Sequence, residues 1–162
     1  MKRILFLLTI AVIVWASCSK KPYNYYPIEP QIYYKSVQPN LIDFNDTTAA
    51  VQVTFTFNDG DGDLGTDETT STNAIYFKDS RDTSAADTTF GYPFPYISSD
   101  KRPKNGSLEG NVVVTLNRAY FSVLDSLHLA LRGDTLHYNI YIKDNAGHKS
   151  NVITTDPIYI KF

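Results

Sequence analysis

The densest group of oxygen-bearing side chains in this 162-residue sequence lies in a glycine-rich segment, the acidic loop of residues 58–68. It contains six acidic or amide side chains, namely Asn58, Asp59, Asp61, Asp63, Asp67 and Glu68. Gly60 and Gly62 alternate with the first three aspartates, and glycine permits the positive φ angles that let alternate carboxylates turn inward together. Two carboxylates about 4 Å apart repel by roughly 1 kcal/mol even in water, and such hard oxygen ligands suit Ca²⁺. The acidic loop therefore predicts a calcium site, with a solvated turn that binds nothing as the alternative.

The spacing of the three alternating aspartates resembles the start of an EF-hand calcium loop. An EF-hand has glycine where this sequence has Leu64 and a bidentate glutamate where it has Thr70. The flanking segments also lack helical periodicity. We therefore expect a strand–loop site, completed by Asp67, Glu68 or main-chain carbonyls. Its affinity should be weak, with a dissociation constant of about 10⁻⁴ to 10⁻³ M, as in extracellular modules.

Two alternating segments are expected to position this loop. Val51–Phe57 and Leu136–Lys143 both alternate apolar with polar residues, which is the period of a half-buried strand. If they are strands B and F of an immunoglobulin-like sandwich, the loops that follow them emerge at the same pole. Asp144 would then add a further oxygen ligand. The alternative is that Asp144–Gly147 is an ordinary hairpin turn.

The remaining sequence predicts an all-β domain. Its 12 tyrosines and 9 phenylalanines favour strands, and no segment after residue 17 has a long helical period. Further strands are expected at Gln31–Val37, Ala74–Lys78, Asn111–Leu116 and Ile158–Phe162. About seven short strands separated by turns are typical of an antiparallel immunoglobulin-like β-sandwich. Residues 79–102 and 118–131 have no firm assignment.

The N-terminus has the layout of an export signal that ends at the single cysteine. Two basic residues, an apolar run over residues 4–15 and two small residues precede Cys18. The run is shorter than the stretch of about 20 apolar residues that a membrane-spanning helix needs. Residues 15–18 resemble the lipobox of bacterial lipoproteins, with Trp15 where an aliphatic residue is usual. The resemblance implies cleavage before Cys18 and lipidation of this residue, which would hold the protein to a membrane. The alternative is an ordinary secretory signal, cut near residue 16 or 17, that leaves Cys18 unmodified.

The sequence thus divides into a signal peptide (residues 1–17), a lipidated cysteine with an extended tether (residues 18–30) and a β-sandwich (residues 31–162). The chain has 15 basic and 17 acidic side chains, and removal of residues 1–17 takes away Lys2 and Arg3 and no acid. The mature part would therefore carry a net charge of about −4. Nucleic-acid binding needs a basic face, so nucleic acid is not an expected partner.

Two motifs carry a resemblance to a protein family. They are Phe-Asn-Asp-Gly-Asp-Gly-Asp-Leu-Gly at residues 57–65 and Lys-Asp-Asn-Ala-Gly-His-Lys-Ser-Asn at residues 143–151, before a final Ile-Tyr-Ile strand. Together they are similar to Gram-negative cell-envelope lipoproteins with immunoglobulin-like, or fibronectin type III-like, domains. The resemblance implies an accessory or adhesive envelope protein. Such a protein would sit at the outer membrane, on its periplasmic face or at the cell surface, with an envelope protein or a glycan as partner.

An aromatic segment offers a second candidate binding surface. Phe90–Ile97 holds four aromatic residues and two prolines in eight positions, so it can present its rings at a low entropic cost. Tyr92, Phe94 and Tyr96 are therefore candidates for contact with a glycan or a protein. The alternative is that these rings cover the hydrophobic core.

The sequence lacks the motifs of common catalytic sites. His128, His137 and His148 lack metal-ligand spacing, and no nucleophile elbow, zinc-protease or phosphate-binding motif occurs. We therefore expect a non-enzymatic binding or assembly module that calcium stabilises. One alternative is a subunit that docks on an outer-membrane complex through a free sheet edge such as Ile158–Phe162. Another is a carbohydrate- or peptide-processing enzyme with an unrecognised acid pair.

Overall fold

The computed structural model describes residues 26–66, 68–69, 72–82, 89–104, 106–121 and 133–161. The predicted signal peptide, Cys18 and the first part of the tether lie outside these ranges, as do Asp67 and His128. Export and lipidation stay predictions from the sequence. Among the described residues, no helix has the length and apolar character needed to cross a membrane.

The described part of the chain folds into ten β-strands and two short 3-10 helices, and it contains no α-helix. The strands are β1 (Gln31–Gln38), β2 (Leu41–Asp43), β3 (Ala50–Asp59), β4 (Asn73–Asp79), β5 (Phe90–Pro93), β6 (Leu108–Asn117), β7 (Asp134–Leu136), β8 (Tyr138–Ile142), β9 (Ile153–Thr154) and β10 (Ile158–Lys161). The 3-10 helices are Ser99–Lys101 and Arg118–Tyr120. The predicted all-β sandwich is confirmed, although it has more strands than the seven expected.

The strands form three sheets, in the orders β1-β3-β6, β2-β10-β7 and β5-β4-β8-β9. Neighbours are antiparallel except β2 and β10, which run parallel. In the first sheet, β3 is central and pairs with β6 along its whole length, from Ala50 opposite Asn117 to Asp59 opposite Leu108. This long strand therefore runs from one pole of the domain to the other.

One hydrophobic core receives side chains from all three sheets. Val51, Val53 and Phe55 of β3 are completely buried, and Phe57 is 6% exposed. A side chain of this size contributes about 1.5–3 kcal/mol when it is fully buried. Tyr138 of β8 is completely buried as well. The alternation in the sequence of residues 51–57 therefore reflects the packing of β3 on the core.

Most predicted strands are present, but one is divided. Those predicted at 31–37, 51–57, 74–78, 111–116 and 158–162 correspond to β1, β3, β4, β6 and β10. In the segment predicted as the strand Leu136–Lys143, Leu136 belongs to β7 and pairs with Ile158, whereas Tyr138 belongs to β8 and pairs with Asp79. Leu136 and Tyr138 are both buried, so every second side chain still points inward where the chain passes from one sheet to another. The sequence pattern therefore does not reveal the change of sheet.

The final strand is not a free edge. β10 lies between β2 and β7, and its residue Tyr159 is opposite Leu41 on one side and Thr135 on the other. The suggestion that Ile158–Phe162 offers a docking edge is therefore wrong for Ile158–Lys161. The sequence did not reveal this because β2 and β7 have three residues each, too few for a recognisable alternation.

The side chain of Asn151 forms hydrogen bonds to the backbone at the outer edge of β1. Its Oδ1 accepts a hydrogen bond from the N–H of Ile32 at 2.8 Å, and its Nδ2 donates to the Ile32 carbonyl at 2.8 Å. The hydroxyl of Tyr34 donates to Asp156 at 2.9 Å. The segment around β9 thereby satisfies backbone groups that an edge strand would otherwise leave open.

Candidate metal centre

The ends of β3 and β8 bring four aspartates together at one pole, and we call them the aspartate cluster: Asp59, Asp61, Asp63 and Asp144. Asp59 is the last residue of β3, Asp61 and Asp63 follow in the acidic loop, and Asp144 lies two residues after β8. Each residue offers one carboxylate oxygen, and these oxygens all lie within 4.8 Å of one another. The structure thus places the two loops at the same pole, as the strand order suggested.

Asp59 forms the buried base of the cluster. It continues the inward alternation of β3 beyond Phe57 and is 0% exposed. Its Oδ2 accepts a hydrogen bond from the N–H of Leu64 at 3.2 Å, but its Oδ1 is buried and has no hydrogen-bond donor among the described residues. An unpartnered buried polar atom costs roughly 1–3 kcal/mol, and more when it is charged. This oxygen therefore needs a proton or a cation.

Asp63 joins the two loops and leaves a second oxygen open. Its Oδ2 accepts a hydrogen bond from the N–H of Ala146 at 2.8 Å. Its Oδ1 is buried without a donor, like that of Asp59. The second loop thus fixes the carboxylate in place while one oxygen stays available as a ligand.

Asp144 is buried like Asp59, and its carboxylate is oriented by His148. Asp144 Oδ1 accepts a hydrogen bond from the His148 N–H at 2.7 Å, and Oδ2 lies 2.8 Å from His148 Nδ1. The N–H of Gly147 donates to the Asp144 carbonyl at 3.2 Å and closes a turn. Residues 144–147 therefore form a turn, and this turn places the Asp144 carboxylate in the aspartate cluster.

The crowding of carboxylates changes their acidity. Burial, reinforced by the charges of the other three aspartates, raises the pKa of Asp59 to about 7. Burial and the charge of Asp144 also raise the pKa of Asp63. The hydrogen bond from its ring to Asp144 raises the pKa of His148. A bound cation would favour the ionised carboxylates and displace the proton.

Arg102 holds the acidic loop from outside the cluster. Its guanidinium donates to the carbonyl oxygens of Gly62, Leu64 and Gly65. Its Nε donates to the carbonyl of Ile97 at 3.1 Å. A rigid fork of donors of this kind fixes several acceptors at once, which lysine cannot do. Sequence reasoning missed Arg102 because its partners in the acidic loop are main-chain atoms 37–40 residues away, and no local pattern marks it.

Gly62 has the backbone conformation that the acidic loop requires. Its φ of 68° lies in the left-handed region. A Cβ at this position would lie 1.6 Å from the carbonyl oxygen of Gly106. Both conformation and space therefore require glycine at position 62. The expected positive φ is absent at Gly60, which is not among the glycines with a positive φ.

The aspartate cluster fits a hard divalent cation. Ca²⁺ binds oxygen at about 2.3–2.6 Å, so oxygens on opposite sides of the ion lie up to about 5 Å apart. The separations in the cluster stay within 4.8 Å. Mg²⁺, with bonds of about 2.0–2.1 Å, would require a tighter octahedral arrangement. The cluster can therefore bind a metal, and a donor set of oxygens alone suits Ca²⁺, Mg²⁺ or Mn²⁺ better than softer ions.

The other predicted site residues lie elsewhere. Glu68 accepts a hydrogen bond from the Tyr96 hydroxyl at 2.8 Å, and it is not among the four clustered carboxylates. Tyr92 is half-buried, and its hydroxyl bonds to a main-chain carbonyl of β6. Phe94 is 5% exposed and meets the ring of Phe57 edge-on at 5.1 Å. Phe94 thus packs in the core, whereas Tyr96, 40% exposed, is accessible.

The tether reaches the domain beside the acidic loop. The N–H of Gly60 donates to the carbonyl of Pro27 at 2.8 Å, and the hydroxyl of Tyr26 donates to the carboxylate of Glu109. A Cβ on Gly60 would lie 2.3 Å from the Tyr26 carbonyl oxygen. Glycine at this position therefore lets the two segments lie in contact.

Comparison with protein families, curated proteins and solved structures found no match to the chain. Its class therefore follows from fold and site alone. The protein is an all-β sandwich with four converging aspartates at one pole that can bind a metal ion.

Proposed function

We propose that the protein is a lipid-anchored, non-enzymatic binding module of the bacterial cell envelope, with an acidic pole stabilised by Ca²⁺. The observation that carries the calcium proposal is the pair of buried, unpartnered oxygens, Asp59 Oδ1 and Asp63 Oδ1. Both belong to carboxylates of the aspartate cluster. One Ca²⁺ would supply the missing partner for both oxygens and neutralise part of the clustered negative charge.

The role proposed for the ion is structural. Its ligands come from two loops that are far apart in the sequence, so a bound ion would cross-link the ends of β3 and β8. A chain with a single cysteine has no internal disulfide to do this. Weak calcium sites suit proteins outside the cytosol, which agrees with the export signal inferred from residues 1–17.

The binding role is proposed from the combination of this rigid pole with the N-terminal sequence. Lipidation at Cys18 would place the domain at a membrane surface, where an accessory or adhesive module contacts a neighbouring envelope protein or glycan. The motifs at residues 57–65 and 143–151 support the same assignment through their resemblance to envelope lipoproteins.

Thermal unfolding of the purified full-length protein tests the calcium part. At Ca²⁺ a hundredfold above its dissociation constant, binding adds about 2.7 kcal/mol to the free energy of unfolding. For a domain of this size that corresponds to a rise in Tm of roughly 5–10 °C. A chelator should reverse the rise, and Mg²⁺ at equal concentration should produce a smaller one. An unchanged Tm at 10 mM Ca²⁺, about ten- to a hundredfold above the expected dissociation constant, would refute the calcium site.

The anchor has its own test. Cells that express the protein are labelled with radioactive palmitate, and the intact mass of the purified protein is measured. We expect label in the wild type and none in Cys18→Ala, with a mass that corresponds to a chain starting at Cys18 plus acyl groups. An unacylated N-terminus would exclude the lipid anchor and leave the calcium site unaffected.

A further inference from the structure

A second site lies on the outer face of the sheet β1-β3-β6. The residues opposite one another on this face form two adjacent rows across three strands. One row is Tyr33, Thr56 and Asn111, and the other is Gln31, Asn58 and Glu109. The side chains on the central strand are short, and those of Tyr33 and Glu109 on the flanking strands are longer, so this outer-face groove is concave. Its volume is about 430 Å³, within the range of about 300–1,000 Å³ that small-molecule sites occupy.

A β-bulge in β1 enlarges the polar rim of the groove. Tyr34 lies opposite Phe55 and Ser36 lies opposite Thr54, so Lys35 is the extra residue. Lys35 is exposed and lines the outer-face groove next to Tyr33. Bulges often change the direction of a side chain next to a functional site.

The groove presents one aromatic ring among several hydrogen-bonding groups. Tyr33, in β1, is 55% exposed. Asn58 lies in the floor, but its Oδ1 is buried and is not exposed to a ligand in the groove. Asn111 and Glu109 are exposed on the opposite rim. The groove therefore combines an apolar platform with amide, hydroxyl, ammonium and carboxylate groups.

We propose that the outer-face groove binds a neutral sugar unit of a glycan. The C–H face of a pyranose ring would pack on the exposed ring of Tyr33. Its hydroxyls would accept from Asn111 and Lys35 and donate to the carboxylate of Glu109, which also accepts from the Tyr26 hydroxyl. Lys35 and Glu109 have opposite charges, so the groove has no net charge to attract an ion. This inference names the ligand of the binding function proposed above and rests on it.

A peptide strand fits this surface less well. Strand addition requires free N–H and C=O groups, but β3 is paired with β1 on one side and with β6 on the other. The central strand therefore offers side chains and no free backbone groups to a ligand. Recognition by an aromatic ring and scattered polar side chains favours a sugar.

Affinity electrophoresis of the purified full-length protein in gels that contain soluble starch, xylan or glucomannan tests the proposal, followed by a microarray of neutral and charged glycans. Calcium is present throughout. We expect retardation by at least one neutral polysaccharide or signal on neutral glycans. Tyr33→Ala should weaken this binding at least tenfold, and Asn111→Ala about threefold or more. The matched control is Tyr159→Ala, which removes a tyrosine of similar exposure, 47%, from β10 and should bind like the wild type.

Thermal unfolding of each variant separates a lost site from a lost fold. Tyr33→Ala should keep the calcium-dependent rise in Tm. The glycan proposal is overturned if no neutral glycan binds, if only charged glycans bind, or if Tyr33→Ala binds as well as Tyr159→Ala. None of these results would change the conclusion from the calcium measurement. Conversely, a missing calcium response would count against the proposed function without affecting the glycan measurement.

Discussion

The N–H of Ala146 donates a hydrogen bond of 2.8 Å to the carboxylate of Asp63, a residue 83 positions earlier in the chain. This contact joins the loops after β3 and β8 without any ion. It also positions the Asp63 carboxylate, so a cation would find both loops already in place. Pre-organisation of this kind lowers the entropic penalty of binding.

Asp59→Asn should remove the calcium response and stabilise the protein in chelator. The substitution replaces a buried carboxylate with a neutral group of the same shape, so it removes the repulsion in the cluster and weakens the cation ligand. We expect the Tm in chelator to rise by a few degrees, and the calcium-induced rise to fall to less than a third of the wild-type value. The control is Asp43→Asn, at a carboxylate that lies 3.8 Å from Lys161 and outside the cluster. Differential scanning fluorimetry measures both, and an undiminished calcium response in Asp59→Asn would contradict the site.

Arg102→Lys should weaken calcium binding through the backbone of the acidic loop. Lysine keeps the positive charge, but it cannot hold the carbonyls of Gly62, Leu64 and Gly65 together. We expect the dissociation constant for Ca²⁺ to rise about tenfold in isothermal titration calorimetry. Arg118→Lys is the matched control, because the Arg118 guanidinium lies over the ring of Phe44 at 4.2 Å and not on the loop. Equal affinities for the two variants would show that Arg102 has no positioning role.

Substitution of two glycines should separate steric exclusion from conformational strain. Gly62→Ala introduces a Cβ that overlaps the Gly106 carbonyl, whereas a Cβ at Gly147 has no atom within 4 Å. Both residues have positive φ, for which alanine costs roughly 1–2 kcal/mol. We expect Gly147→Ala to lose about that amount and Gly62→Ala to lose several kcal/mol more in urea unfolding. Similar losses for the two variants would contradict the close contact at Gly62.

The pH dependence of stability should differ between calcium and chelator. The pKa of Asp59 is about 7 in the folded state against 3.8 for an unperturbed aspartate. Between these values the folded protein binds more protons than the unfolded one, so the free energy of unfolding falls as pH rises. The contribution of protonated Asp59 to the free energy of unfolding is complete below about pH 4 and lost above about pH 7. The raised pKa values of Asp63 and His148 act in the same direction.

In chelator we therefore expect Tm to fall by roughly 5 °C between pH 5 and pH 8. Calcium binds the ionised carboxylates and should reduce this fall, so the difference between the two curves grows with pH. Asp59→Asn should flatten the chelator curve. Parallel curves with and without calcium over this range would argue against competition between protons and the ion.

Asn151→Ala should destabilise the edge of β1. The variant loses both hydrogen bonds to the backbone of Ile32, each worth about 1 kcal/mol. We expect a loss of about 2 kcal/mol in urea unfolding. Asn139→Ala is the control, because Asn139 makes an exposed side-chain bond to Thr154 at 2.8 Å and should lose less than half as much. Equal losses would mean that the Asn151 contacts do not secure the edge.

Much of the candidate site could be predicted from the sequence because its residues lie at or just after the ends of strands. The strict alternation of residues 51–57 indicated where β3 lies and therefore where the acidic loop begins. The order of the strands then indicated that Asp144 would lie at the same pole. Glu68, which was expected to complete the site, lies outside the cluster. Its carboxylate accepts a hydrogen bond from Tyr96, and the sequence gives no sign of that contact.

The features that sequence reasoning missed depend on contacts between distant segments. The outer-face groove requires the register of three strands, which places Tyr33 beside Thr56 and Asn111. Arg102 acts on main-chain oxygens, which any residue type supplies. Short strands such as β2 owe their conformation to their neighbours in the sheet, so their own residues contain little signal.

The contact between Gly60 and Pro27 determines which end of the domain lies next to the tether. Seven residues separate Cys18 from Tyr26, so an acylated cysteine would keep the acidic pole within about 28 Å of the bilayer. The ten residues of β3 extend about 33 Å from that pole. The acidic pole would then be the end of the domain next to the tether, and the end at Ala50 would be separated from the tether by the length of β3.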